Sequence, residues 1–295
     1  YKNPIAKLDL DLFREKVKGC AWTGHLRTDT DSIAGAIGAA DLFDGIAARS
    51  SEMNDESKWV LNQYTVANPE YIDIDPNRIV GIVDHHPLLS STVVIDEPIR
   101  IDIRPVGSTS TIVACYYGSA NKPMSEDIAG ILMSAILLDT VNLNSPTTTE
   151  FDITMLSCLA TQSNTKDIDT YADAMFQAKA NGFNNLDDDE VQYNCLAHCR
   201  NTDPASMMAR KQALADSMKE LKTEKDTKYA YLSIVGIVNL DTNLILIGED
   251  ETELAVYAFK SQVNADEALV MNIGNLVSRK DFLPTVQAII CRDDE

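Results

Sequence analysis

At 295 residues the chain is too long for one small core, and 45% apolar residues point to two folded, core-bearing domains and exclude a disordered chain. The formal net charge of −20 excludes a nucleic-acid or anionic-lipid surface, and it repels a polyanionic substrate except where cations are concentrated locally. There is no apolar run long enough for a membrane span and no signal-peptide core in Tyr1 to Leu10, while six cysteines without paired spacing fit free thiols of a reducing, cytoplasmic compartment.

After an amphipathic opening (Leu8 to Val17), Cys20 to Gly24 predicts a short strand and turn. A loop follows, His25-Leu26-Arg27-Thr28-Asp29-Thr30-Asp31, then a helix over Ile33 to Phe43. In an extended loop Asp29 and Asp31 project to one side and His25 folds back over them. A strand, a ligand-bearing loop and a helix are a common way to hold a metal at a sheet's edge. The two acids alone read as a solvated loop; His25, one of only four histidines, weakens that reading. Glu52 to Tyr64 predicts a helix, and Tyr71-Ile72-Asp73-Ile74-Asp75-Pro76 a strand closed by a turn.

The run Ile79 to Val83 predicts a buried strand that delivers Asp84-His85-His86 at its C-terminal end. In an open parallel sheet that end is where ligands bind. Imidazole beside carboxylate suits a divalent metal of mixed N/O preference, although a capping turn explains the tripeptide alone equally well. Ser91 to Ile103 carries two short β-rich pieces around Pro98. Pro105-Val106-Gly107-Ser108-Thr109-Ser110-Thr111 opens a helix whose N-terminus suits an anion, a weak signal because Ser and Thr cap helices generally. Ser125-Glu126-Asp127 starts an apolar helix, Ile128 to Leu138, and Asp139 stands just after it as a lone carboxylate, read as a ligand. Thr147-x-x-Glu150 has the form of a capping box for a helix over Phe151 to Ala160.

From Gln162 to Asp189 the composition turns polar, which places a domain boundary between residues 182 and 183. Cys195-x-x-His198-Cys199 lacks a second cysteine pair and reads as ordinary structure. Asp203-Pro204 opens a helix to about Lys222, with Met207, Met208, Leu214, Met218 and Leu221 on one face. Strands at Tyr229 to Val238 and Leu244 to Ile247, a helix from Glu253 to Phe259 and a strand over Leu269 to Ile273 follow. Ser278-Arg279-Lys280 and a closing segment, Val286 to Cys291, end the chain.

Six blocks in order resemble the DHH phosphoesterase superfamily and, within it, the family II (manganese-dependent) inorganic pyrophosphatases. They are Gly24-His25 with Asp29-Thr30-Asp31-Ser32-Ile33, Val83-Asp84-His85-His86, Pro105 to Thr109, Ser134-Ala135-Ile136 with Asp139-Thr140, Ser145 to Thr149, and Ser278-Arg279-Lys280. The resemblance implies an α/β enzyme in two parts. Residues 1–182 form a metal-binding DHH domain with a mainly parallel sheet flanked by helices; residues 183–295 form a smaller DHHA2-like domain with a mixed sheet that closes over substrate. His25, Asp29, Asp31, His85 and Asp139 match metal-ligand positions. Asp84 and His86 match positions at or next to the metals, with His86 a substrate contact or proton donor. Arg279 and Lys280 match the phosphate clamp, and the family's dimer implies a homodimer here.

The implied chemistry is hydrolysis of a phosphoanhydride by two divalent metals about 3.5–4 Å apart that acidify a water and neutralise phosphoryl oxygens. Histidine ligands favour Mn²⁺ or Co²⁺ over Mg²⁺, which is left to arrive with the substrate. Arg279 offers a planar fork and Lys280 a point charge, so the site is locally positive in an acidic protein. Three departures stand out. Arg27-Thr28 replaces the usual Asn-Pro, as an added phosphate contact or a changed loop. The short interval before Asp84 leaves the bridging carboxylate to Asp73 or Asp75, with Asp73 favoured. The stretch Leu186 to Asp203 lacks the family's phosphate-binding Lys, a loss worth roughly 2–4 kcal/mol of transition-state stabilisation by analogy with other electrostatic donors. Pyrophosphate is the expected substrate, since His25 stands where polyphosphatases commonly lack histidine. The alternatives are a prune-like exopolyphosphatase, a nucleotide phosphodiesterase, and a degenerate metal-binding scaffold without turnover.

Overall fold

Two α/β units make up the computed structural model, Tyr1–Met175 and Phe176–Glu295. It describes residues 18–24, 28–71, 79–86, 100–184, 198–201, 204–236, 239–264, 269–276, 282, 285–286 and 289.

The first unit is built on five parallel strands: β1 (Ala21–Thr23), β2 (Ile46–Arg49), β3 (Glu70–Tyr71), β4 (Ile79–Asp84) and β5 (Arg100–Ile103). Their order is β3-β2-β1-β4-β5. The chain steps outward from β1 through β2 to β3, then returns to the other side of β1 as β4. That reversal is a topological switch point, where diverging connections open a crevice at the strands' carboxyl ends. Thr23 of β1 pairs with Ile82 of β4, so the loop after β1 and the Asp84-His85-His86 turn leave the sheet side by side.

Helices α1 (Thr30–Phe43), α2 (Asp55–Gln63), α3 (Thr109–Ala120), α4 (Glu126–Asp139) and α5 (Glu150–Gln162) accompany this sheet. Every residue of α1 except Asp41 is buried, because its Ala and Gly residues let other helices approach closely. A Cβ on Gly38 would stand 2.8 Å from Val113 of α3 and 3.1 Å from Leu132 of α4. Helix α4 is buried from Ile128 to Leu138, as its all-round apolar sequence requires. The ring of Trp22 stacks on Phe43 at 4.8 Å, and the bare Cα of Gly81 on β4 makes room for it.

The second unit has the strand order β6 (His198–Asn201), β7 (Leu232–Gly236), β8 (Asp241–Ile245), β9 (Val270–Asn272). Strands β6 and β7 are parallel and the other pairs antiparallel, giving the mixed sheet expected. With α6 (Ile168–Asn184) preceding this sheet in the chain, the unit's remaining helices are α7 (Pro204–Ala209), α8 (Lys211–Glu224) and α9 (Glu249–Phe259). One apolar cluster joins Met207, Leu214 and Met218 to Leu232, Ile234 and Ile245; another joins Leu254 and Phe282 to Tyr231, Leu244 and Leu246. Among the described residues no helix is long and apolar enough to cross a membrane.

Several expectations change. Strand β2 had no sequence signal, since Ile-Ala-Ala-Arg is short and mostly small. The polar stretch after Gln162 contains a 17-residue helix, α6, whose buried residues Ala172, Met175 and Phe176 follow helical spacing under a solvated face. The single helix expected from Pro204 is two, because Arg210 (φ −97°, ψ 5°) leaves helical geometry between them. Helix α9 starts at Glu249, its acidic first turn favoured by the helix dipole. His198 and Cys199 lie on β6, and Cys195 lies outside the described residues.

Candidate metal centre

At the end of β4 the side chain of Asp84 folds the following turn around itself. Its Oδ1 accepts from the backbone N–H of His85 at 2.7 Å, the backbone N–H of His86 at 3.0 Å and His86 Nδ1 at 2.9 Å. The two imidazoles meet edge to face, 4.1 Å between centroids.

In its neutral form His85 has one tautomer. Its Nδ1 lies 3.0 Å from the carbonyl oxygen of Val106, which only accepts, so Nδ1 carries the proton. Nε2 of the neutral ring then presents a lone pair, and it faces Asp139 Oδ2 at 3.1 Å and Asp31 Oδ2 at 3.7 Å. Three electron-rich atoms converging in a buried space repel one another unless a proton or a cation sits among them. The ligand atoms of Asp31, His85 and Asp139 all lie within 4.8 Å of one another, as do those of Asp84, His85 and His86. This donor chemistry, carboxylates with one imidazole, fits a first-row divalent ion.

Asp31 is wholly buried, and its charge is met by the N-terminus of α3. Oδ1 accepts from Ser108 Oγ at 2.6 Å, Ser110 Oγ at 3.0 Å and Ser110 N at 3.1 Å; Oδ2 accepts from Thr109 N at 2.7 Å. The anion that the Gly-Ser-Thr-Ser helix start was expected to suit is thus the protein's own carboxylate.

The placing of Asp29 and Asp31 corrects the extended-loop expectation. Asp29 is the N-cap of α1, in a capping box with Ser32, and Asp31 sits within the helix's first turn. Capping draws the helix start back three residues from Ile33 to Thr30. Asp139 is likewise the last residue of α4 rather than the first beyond it. A left-handed run at Val141, Asn142 and Leu143 (φ 52°, 48° and 64°) then turns the chain away. Burial, followed by the Asp31 charge, pushes the Asp139 carboxyl up to about 6, and the Asp29 charge raises it further.

The structure therefore brings together Asp31, His85 and Asp139, with Asp29 close enough to act on Asp139 through its charge. His86 stands beside them on Asp84. His25, Asp73, Asp75, Arg279 and Lys280 lie outside the described residues. Sequence reasoning missed Asp152. The capping box of α5 joins Thr149 to Asp152, not Thr147 to Glu150, and the signal was the same pattern two residues later.

Residues 21–136 match the DHH family, N-terminal domain. A Deinococcus radiodurans protein named probable manganese-dependent inorganic pyrophosphatase is 28% identical over 307 residues, covering 90% of this chain and 96% of its own. The manganese-dependent inorganic pyrophosphatase of Methanocaldococcus jannaschii is 34% identical over 186 residues, 53% of this chain and 60% of its own. Among solved structures, a Methanococcus jannaschii protein assigned to family II inorganic pyrophosphatases superposes with a TM-score of 0.74 at 25% identity, over 91% of this chain and 98% of that one.

Proposed function

We infer that this chain, with its DHH family domain over residues 21–136, hydrolyses inorganic pyrophosphate to two phosphates. The observation that carries the reading is His85: Nδ1 is committed to the Val106 carbonyl while Nε2 faces two carboxylates, an arrangement suited to a cation. We assign Asp29, Asp31, His85 and Asp139 to the ions, and His25 and Asp73 by resemblance. The donor set favours two Mn²⁺ or Co²⁺, with Mg²⁺ entering on the substrate. When bound, such ions neutralise phosphoryl oxygens and acidify a water at neutral pH.

The chain's own groups do the rest. Ser108, Thr109 and Ser110 hold the Asp31 carboxylate so that Oδ2 is presented toward His85. Asp84 anchors His86 through Nδ1, and we assign His86 Nε2 to a phosphate oxygen of the substrate. Arg279 and Lys280 are assigned by resemblance to a phosphate clamp on the substrate.

The test is phosphate release from pyrophosphate, tripolyphosphate and long polyphosphate, each with Mn²⁺, Co²⁺ or Mg²⁺, against His85→Gln. Release fastest from pyrophosphate with Mn²⁺ or Co²⁺, and lost in the variant, is the expected result. A preference for longer chains moves the protein to the exopolyphosphatase reading. No turnover of any of the three with any metal overturns both.

A further inference from the structure

We propose that Asp152 is a positioning residue for the metal centre, acting on His85 through the peptide group that joins Val106 to Gly107. The inference rests on His85 being a metal ligand and adds a residue that the sequence marks only as a helix cap. Asp152 is fully buried at the start of α5. Its Oδ2 accepts from Thr149 Oγ1 at 2.6 Å, Thr149 N at 2.7 Å and Gly107 N at 2.9 Å, and its Oδ1 accepts from Thr111 Oγ1 at 2.6 Å.

Capping α5 accounts for the Thr149 bonds but not for the bond to Gly107. That bond and the His85 bond grip one planar peptide at both ends: the N–H points to Asp152 and the C=O accepts from His85 Nδ1 at 3.0 Å. A full negative charge on the N–H polarises the peptide and makes its oxygen a stronger acceptor. The stronger that acceptor, the more basic Nε2 becomes, and the more firmly the ring is held. A carboxylate bonded directly to a ligand histidine has this effect in other metal sites; here one peptide is interposed. The peptide also has no room to drift. A Cβ on Gly107 would stand 2.7 Å from Thr140 Cγ2 and 2.9 Å from Asp152 Oδ2, and Thr140 directly follows Asp139.

The experiment compares Asp152→Asn, Gly107→Ala and Thr111→Val with the wild type. Mn²⁺ binding is read from the free-ion electron-paramagnetic signal, and the His85 ring-nitrogen resonances are read without metal. Asp152→Asn removes the charge, Gly107→Ala pushes the peptide away from Asp152 Oδ2 while Thr149 Oγ1 still accepts from Asp152 N to cap α5, and Thr111→Val removes a bond to the same carboxylate without touching the relay. The first two should weaken Mn²⁺ about tenfold or more and shift the His85 nitrogens, while the third changes neither. Wild-type Mn²⁺ affinity in folded Asp152→Asn or Gly107→Ala overturns the relay, as does equal weakening by Thr111→Val. If Asp152→Asn does not fold, Gly107→Ala against Thr111→Val decides. A wild type that binds no Mn²⁺ removes the metal reading itself, and the relay with it; a wild type that binds beside unaffected variants removes only the relay.

Discussion

Asp31 and Ser108 meet at 2.6 Å, the serine hydroxyl donating to a carboxylate that has no exposure to solvent. The bond joins the first turn of α1 to the start of α3 and fixes the rotation of the carboxylate. A buried charge needs such donors, and here hydroxyls and backbone N–H groups at a helix N-terminus supply them.

Ser108 has two duties, since its Oγ also accepts from Ser110 N at 3.1 Å as the N-cap of α3. Ser108→Ala should therefore cost about 2–5 kcal/mol, the sum of a lost cap and a lost bond to a charged group. Chemical denaturation in chelator reads that loss. Mn²⁺ affinity should fall with it, because Asp31 is no longer held in one rotamer. A variant as stable as the wild type would show that Thr109 and Ser110 alone satisfy the charge.

Asp139 predicts a pH-dependent penalty in the metal-free protein. Burial and the Asp31 charge lift its carboxyl to about 6 from an ordinary 3.8. For a carboxyl raised on folding, the stabilising contribution is complete below the unfolded value and is lost as pH rises through the folded one. Asp139→Asn carries no such charge, so without metal it should be the more stable protein above about pH 6 and lose that advantage toward about pH 4. Saturating Mn²⁺ reverses the order, stabilising the wild type by about 2.7 kcal/mol at a hundredfold excess over Kd. Thermal melts across this range, with chelator and with Mn²⁺, measure both effects. Parallel curves for the two proteins without metal would mean that the repulsion is relieved elsewhere.

The sheet that carries the centre was legible because its signals are local. Ile79 to Val83 is an unbroken apolar run ending in Asp-His-His, and strand β4 has those bounds within a residue. What was hidden is non-local. That Asp31 fills the anion site at the start of α3 depends on helix α1 beginning three residues early, and on two loops distant in sequence closing together. Asp152 was missed for the same reason: its pattern reads as a helix cap, and only the fold brings Gly107 to it. Helix α6 was obscured by its solvated face, which dominates the composition of Gln162 to Asp189.

Asp84 offers a test of how the histidine turn is held. One oxygen takes three donors, and only the contact to His86 Nδ1 orients a ring assigned to substrate. Asp84→Asn keeps an acceptor for the backbone and loses the charge. It should lower kcat/KM for pyrophosphate about 10- to 100-fold, the usual cost of losing a partner behind a metal-site residue. Mn²⁺ affinity should fall less than in His85→Gln, since Val106 still orients His85. Steady-state kinetics with Mn²⁺ titration separates these two effects. Unchanged kcat/KM would reduce Asp84 to a turn former.

Gly81 connects the core to the centre, because β4 carries it three residues before Asp84. A Cβ there would stand 2.1 Å from Cζ3 and 2.5 Å from Cη2 of Trp22, whose ring is buried and stacked on Phe43. The indole cannot rotate away without losing that stack, so the strand must shift. Gly81→Ala should cost about 1–3 kcal/mol by overpacking and weaken Mn²⁺ binding, since His85 and its turn move with β4. A double-mutant cycle identifies the cause. Trp22→Phe removes the clashing ring atoms, so in its background Gly81→Ala should be milder by about 1 kcal/mol or more, within the range of coupling for residues in contact. If the two losses simply add, the alanine acts through the backbone of β4 and not through Trp22.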